Sequence, residues 1–193
     1  VDDPYNMYFL PGGHEAMVVQ EQRQQLGFYD AQTMAPTSVL AVDCPGVDHA
    51  DFSADERTLV ASCEFGHRLM RLDVASKRVT GYLDLPGSAP QDVRLSPDGT
   101  VFFVADKKLA VVHMIDAAAF TKTGFLPTGP EAHGIYPCRD VRRTFVSQRA
   151  TGPIRVPHSS APRAPPPLPP PGAGAPALGG RRPARPLSCP PCL

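Results

Sequence analysis

The chain has 193 residues, with 24 prolines, 16 glycines, no tryptophan, and 19 basic against 19 acidic side chains. That neutrality is a sum of unlike segments: residues 151–193 hold 14 of the prolines, five arginines and no acidic residue, which leaves a net charge of −5 on the first 150. No apolar run approaches the roughly 18 residues of a membrane span, and no basic stripe or arginine-aromatic interleaving is present, so neither a membrane span nor a nucleic-acid footprint is expected.

Short β-branched and apolar runs separated by turn residues predict strands along the chain. The first group is Asn6–Leu10, Ala16–Val19, Leu26–Asp30 and Val39–Val42. A second runs from Val47 to Leu85, and a third from Gln91 to Leu126, where Pro127-Thr128-Gly129-Pro130 leads onward. A fourth opens with His133–Tyr136 and Arg143–Ser147, and Gly152–Val156 begins its third strand.

The groups share a period. Ser96-Pro97-Asp98-Gly99 supplies a preset φ, a local acceptor and a residue tolerant of positive φ, as a tight corner requires. It recurs as Ser53-Ala54-Asp55-Glu56, as Cys138-Arg139-Asp140-Val141 and, worn, as Leu10-Pro11-Gly12-Gly13. Asp55 and Asp98 stand 43 residues apart, and Asp140 follows 42 later. A second landmark keeps the same step: Asp30, Asp73 and Asp116, each closing a third strand, are 43 residues apart. Two landmarks in one register, with about four short strands per period, predict an all-β protein built as a β-propeller. Strands apolar on both faces, such as Val101–Val104, agree with this, because stacked blades bury both sides of each sheet.

On these residues the chain also resembles a family. Asp92-Val93-Arg94-Leu95-Ser96-Pro97-Asp98-Gly99, followed by Val101-Phe102-Phe103-Val104-Ala105-Asp106, is similar to the YVTN-type β-propeller repeats of bacterial and archaeal proteins. Ala50-Asp51-Phe52-Ser53-Ala54-Asp55 with Leu59-Val60-Ala61-Ser62 echoes it, and the signature itself survives as Phe103-Val104-Ala105-Asp106. The resemblance covers about residues 5–156. It implies a propeller, and a periplasmic or extracellular setting, without implying one activity.

The expected architecture is an incomplete propeller of about three and a half four-stranded blades within residues 1–157, at about 5–42, 47–85, 91–126 and 133–156. The fourth blade stops short: the period places its closing aspartate at 158, where His158 stands. Residues 158–193, rich in Pro, Arg, Gly and Ala, are expected to be disordered or polyproline II. A reading-frame shift would produce such an abrupt change, and a ring left open predicts self-association through its unclosed blade edges.

Inner strands line a propeller's channel, and they place Asp48-His49, Gln91-Asp92 and His133-Gly134 at equivalent positions. Asp48, His49, Gln91, Asp92 and His133 are therefore the candidate ligand-binding residues, with His49, Asp92 and His133 as the ligands if a metal is held. The competing expectation is that these polar groups bond the backbone of the next blade and hold the ring together. His14, His67 and His113 have no repeated partners and are expected to be ordinary polar residues. No catalytic triad or phosphate loop is visible, and the sequence predicts no cofactor.

Of five cysteines, Cys63 reads as a small buried hydrophobe, and Cys44 and Cys138, in connections, as free thiols. Cys189-Pro-Pro-Cys192 has the spacing of a zinc or redox pair but no second pair beside it. Arg163 to Pro169 matches a polyproline ligand of SH3-like domains, a match that composition alone explains. Three readings of function follow. The leading one is a non-catalytic scaffold for a protein or small ligand. The second is part of a propeller enzyme or electron-transfer module, lactonase-like or quinoprotein-like. The third is a frame-shifted fragment without function.

Overall fold

The computed structural model describes residues 1–138 and 144–150. The corner expected at Arg139-Asp140-Val141, the strand expected at Gly152–Val156, the segment 158–193, the Arg163 motif and Cys189 and Cys192 lie outside the described residues.

Every regular element among the described residues is a strand. The first sheet is β1 (Asn6–Phe9), β2 (Glu15–Gln20), β3 (Gln25–Asp30) and β4 (Pro36–Ala41). The second is β5 (Val47–Phe52), β6 (Thr58–Cys63), β7 (Arg68–Asp73) and β8 (Arg78–Asp84). The third is β9 (Pro90–Leu95), β10 (Val101–Asp106), β11 (Val111–Asp116) and β12 (Thr121–Pro127). The fourth contributes β13 (Ala132–Pro137) and β14 (Thr144–Gln148). Each sheet is an antiparallel meander in chain order, and the first strands of the later sheets, β5, β9 and β13, lie side by side. The period is kept closely: β2, β6, β10 and β14 begin at Glu15, Thr58, Val101 and Thr144, 43 residues apart each time. Most bounds differ from expectation by a residue, and one moved further: the fourth strand begins at Pro36 rather than Val39, which a proline permits at the first residue of an outer strand.

Both sequence landmarks are turns held by their own side chains. In the corners, the Ser53 hydroxyl donates to Asp55 Oδ1 (2.7 Å) and the Ser96 hydroxyl to Asp98 Oδ1 (2.6 Å), while the same serine oxygens accept the Thr58 and Val101 amides, both at 3.0 Å. After each third strand the aspartate folds back: Asp30 Oδ1 accepts the Thr33 amide, Asp73 Oδ1 the Ser76 amide and Asp116 Oδ1 the Ala119 amide. These bonds favour the charged carboxylate, so Asp30, Asp55, Asp73 and Asp98 are held below the usual carboxylate range.

The corners differ at their last residue. Gly99 has φ of 75° and sits where a Cβ would come within 2.8 Å of the Ala54 Cβ; its counterpart Glu56 is held at φ 58°. A non-glycine residue in the left-handed region is strained by about 1 kcal/mol. Glu56→Gly is therefore expected to raise stability by about 0.5–1 kcal/mol, part of the relief being offset by glycine's larger unfolded-state entropy. A rise in the urea midpoint at constant m-value checks it; an unchanged or lower midpoint contradicts it.

The sheets stack through three apolar layers. Met17, Leu26 and Phe28 of the first meet Ala50, Leu59 and Met70 of the second. Val60 and Leu69 meet Phe102, Val104 and Ile115, and Phe103 and Val112 meet Ile135 and Val146. The first sheet's other face is finished differently. Met7 and Phe9 are exposed there, whereas Ala50, Val93 and Ile135, one, two and three repeats after Met7, are fully buried. The Tyr29 ring lies across Gly27, where a Cβ would come within 2.9 Å of it.

One pairing overturns a sequence expectation. Cys44 and Cys63, read as a free thiol and a small hydrophobe, form a disulfide with Cα atoms 5.0 Å apart, and both residues are fully buried. It ties the connection entering β5 to the end of β6, where Cys63 pairs across from Val47. An odd cysteine count, with two members in the Pro-rich segment, hid the pairing. His113 also departs from expectation: it is buried, and its Nε2 lies 2.9 Å from Asp106 Oδ2. Cys138 is buried at the end of β13.

Candidate functional site

Each later inner strand carries an irregularity at the same place. In β5 the pairing with β6 slips between Val47 and Ala50, in β9 between Pro90 and Val93, and in β13 between Ala132 and Ile135. The residues left over are Asp48-His49, Gln91-Asp92 and His133-Gly134. Bulges of this kind re-aim side chains out of the pleat. The freed backbone is satisfied locally: the Ser62 hydroxyl accepts the His49 amide and donates to the His49 carbonyl, both at 3.1 Å. Ser147 accepts the Gly134 amide at 2.8 Å in the same way. Ala105 occupies the corresponding place in the third sheet.

The bulges bring four of the five candidates together. His49 Nε2 lies 3.2 Å from Asp48 Oδ1, and His49 Nδ1 lies 3.8 Å from Asp92 Oδ1. The His133 ring meets the His49 ring edge to face, with centroids 5.6 Å apart. Gln91 is buried but turns its amide nitrogen to the Pro90 carbonyl (3.4 Å).

The first sheet supplies residues that the sequence reading passed over. Tyr5 and Asn6 stand one period before Asp48 and His49, and that spacing could have found them. The Asn6 amide is fixed at both ends: its Oδ1 accepts the Met7 amide, and its Nδ2 faces the Tyr8 hydroxyl at 2.9 Å and His49 Nδ1 at 3.0 Å. His49 Nδ1 is therefore the acceptor, and the imidazole proton sits on Nε2, facing Asp48. The Tyr5 ring packs edge to face on His49 at 5.6 Å.

Some of these groups also join the sheets. The Tyr8 hydroxyl accepts the Ala50 amide (2.8 Å), Asp51 Oδ2 the Leu95 amide (2.7 Å) and Asp92 Oδ2 the Ile135 amide (2.8 Å). Tyr8 and Asp51 are one period apart; at the next equivalent position stands Arg94, which cannot accept, and Asp92 takes over the joint. Arg94 Nη2 instead lies 3.3 Å from Asp92 Oδ1. Asp92 thus serves both as a link between blades and as a member of the cluster.

Asp48 differs from its neighbours. It is fully buried, yet among the described residues neither carboxyl oxygen has an aligned hydrogen-bond donor. Burial first, then the charges of Glu64, Glu21 and Asp92, push it up to about 7, against the pull of the Tyr5 hydroxyl facing it. Burial, with Arg94 and Arg149 nearby, holds His49 down at about 4, and burial likewise lowers His133. Both imidazoles are neutral at pH 7 while Asp48 is poised between its two forms. Asp92 is raised by burial, opposed by the Ile135 amide and Arg94.

Solved structures with this fold set the arrangement in context. Hydrazine synthase from Kuenenia stuttgartiensis matches with a TM-score of 0.71 and 18% identity, over 81% of this chain and 46% of that one. A protein assigned as a 6-phosphogluconolactonase from Bacteroides uniformis matches with a TM-score of 0.69 and 14% identity, over 79% and 49%. Its counterpart from Bacteroides fragilis matches with a TM-score of 0.69 and 17% identity over the same shares. The sheets are propeller blades. No protein-family model matches the sequence, and no curated protein matches it. The chain spans about half the length of the solved structures that it matches.

Among the described residues, no three of His, Cys, Asp and Glu stand close enough together to hold a metal ion. What the bulges present, among the described residues, is a set of buried polar atoms without aligned hydrogen-bond partners, Asp48 Oδ1 and Oδ2 and His133 Nε2, beside Asp92 Oδ1, which faces Arg94. Buried polar atoms left in this state cost free energy, and they mark a place where a ligand's hydrogen-bond donors would be stabilised.

Proposed function

We propose that the protein is a propeller scaffold of the YVTN-repeat kind, whose inner-strand bulges bind a small polar ligand at Asp48, His49, Asp92 and His133. The observation that carries this reading is the convergence of buried polar side chains from three successive blades on one cluster in which, among the described residues, both Asp48 oxygens and His133 Nε2 lack an aligned hydrogen-bond partner. Groups that only join blades would resemble Asp51, whose Oδ2 holds the next blade's amide. Asp48 has no such partner. The buried Cys44–Cys63 disulfide supports an oxidising compartment.

A second reading, acid–base catalysis on the bound ligand, is favoured by one observation: a buried carboxyl that titrates near 7 next to a neutral imidazole. Two of the similar structures are assigned as 6-phosphogluconolactonases, which makes sugar-lactone hydrolysis the first reaction to assay. Asp48 would take the proton from the attacking water, and His49, anchored by Asn6, would fix the carboxyl's orientation.

The test uses the full chain, titrated with a panel of small polar compounds and followed through the His49 and His133 ring resonances. Saturable shifts that disappear in His133→Ala are expected. Rings that no compound perturbs would refute binding at the bulges. Sugar-lactone turnover above buffer, lost in Asp48→Asn, would favour the catalytic reading over the scaffold.

A further inference from the structure

Resting on the bulge-site reading, we propose that the ligand is a small organic cation, its positive group seated against Asp48 and flanked by the Tyr5, His49 and His133 rings.

Charge pairing around the cluster singles out Asp48. Glu64 is held by Lys107, Asp92 by Arg94 and the Ile135 amide, and Asp51 by the Leu95 amide. Among the described residues the basic group nearest in contact with Asp48 is His49, which is held neutral. Asp48 is left as a buried carboxyl without a cationic partner, and its surroundings add negative potential from Glu21, Glu64 and Asp92. Such a group either keeps its proton or meets a positive charge.

The rest of the lining fits a cation with hydrogen-bond donors. Asp48 Oδ1 and Oδ2 and Asp92 Oδ1 only accept when ionised. Tyr5 and His49, and His49 and His133, meet edge to face at 5.6 Å, which forms a row of rings whose first two members, Tyr5 and His49, face the Asp48 carboxyl. Aromatic faces attract a desolvated cation. Tyr5, whose ring packs on His49 and whose hydroxyl faces Asp48, is 41% exposed, so it reaches from the cluster to solvent.

The groups that face the cluster are Tyr5 before β1, Glu21 after β2, His49 on β5, Glu64 after β6, Asp92 and Arg94 on β9, His133 on β13 and Arg149 after β14. Asp48 is pushed up to about 7 and His49 held down at about 4, so between pH 6 and pH 8 Asp48 changes its charge while the His49 ring beside it does not.

The test is calorimetric and NMR titration of the full chain with butylammonium chloride, with sodium butyrate as the anionic control and zinc chloride as the metal control. Butylammonium is expected to bind saturably, about tenfold more tightly at pH 8 than at pH 6, and to lose at least tenfold in affinity in Asp48→Asn. Butyrate and zinc are expected not to bind at the bulges. Asp48→Asn keeps the side-chain shape, and its fold is verified by an unchanged backbone amide spectrum outside the bulges. Butyrate or zinc shifting the His49 and His133 resonances while butylammonium does not would overturn the cation and leave the bulge site standing. Butylammonium binding equally well to Asp48→Asn would also overturn it. Silence of the rings to all three probes and to the wider panel would remove both the cation and the site.

Discussion

Asp48→Asn raises stability at pH 8 by roughly 2–4 kcal/mol and leaves it nearly unchanged at pH 4. The sign follows from the proton balance. Asp48 has a folded-state value near 7, above its ordinary 3.8, so between those limits the folded chain binds more protons than the unfolded one. Stability due to this group is therefore greatest below about pH 4 and is lost as pH rises towards 7. Asparagine keeps the shape without an ionisation to oppose. His49 works in the other direction: its value falls from 6.5 to about 4, so its contribution grows as pH rises through that window. His133, also lowered, adds to the same opposing trend. The wild-type profile alone would hide the effect, and the difference between variant and wild type isolates it. Urea unfolding at half-unit steps from pH 4 to pH 8 gives that difference. A gap that stays flat across the range would mean that Asp48 ionises as an ordinary surface carboxyl does.

Removing the disulfide, in Cys44→Ser/Cys63→Ser, is expected to cost about 3 kcal/mol, the chain-entropy value for a closed loop of this size. The two residues are 19 apart in sequence. For a chain of this length the loss corresponds to a fall of about 6–12 °C in melting temperature. Dithiothreitol should move the wild type towards the double variant and leave the double variant itself unmoved. The effect reaches the cluster as well. Cys63 directly follows Ser62, whose hydroxyl holds both backbone groups of His49, so loosening β6 loosens the bulge. Ring-resonance broadening at His49 in the double variant would show this. A melt insensitive to reductant would show that the cross-link adds nothing to the folded state.

What could be read from the residues depended on how often each was repeated. The turns were legible because Asp55 and Asp98, and Asp30, Asp73 and Asp116, perform a local task once per blade, and a local task recurs at the period. The candidate set was legible for the same reason, since Asp48-His49, Gln91-Asp92 and His133-Gly134 occupy one position. Their convergence was not, because it arises from a one-residue slip in strand pairing that leaves no compositional mark. Tyr5 and Asn6 share the position under different chemistry, which conceals the repeat. Ser62 and Ser147 recur at 85 residues rather than 43, because Ala105 breaks the series. The disulfide belongs to one blade only, so periodicity could not report it.

The joints between blades carry a consequence for rearrangement. Each is made by a different group, the Tyr8 phenol, the Asp51 carboxylate and then Asp92, and each meets an amide roughly one period ahead. A second copy of the middle blade spliced in after the original would offer Asp51 the amide of a duplicated Phe52, which its own aspartate already holds at 2.9 Å. The seams are keyed individually, and this propeller is built to resist shuffling of its parts even though those parts look alike.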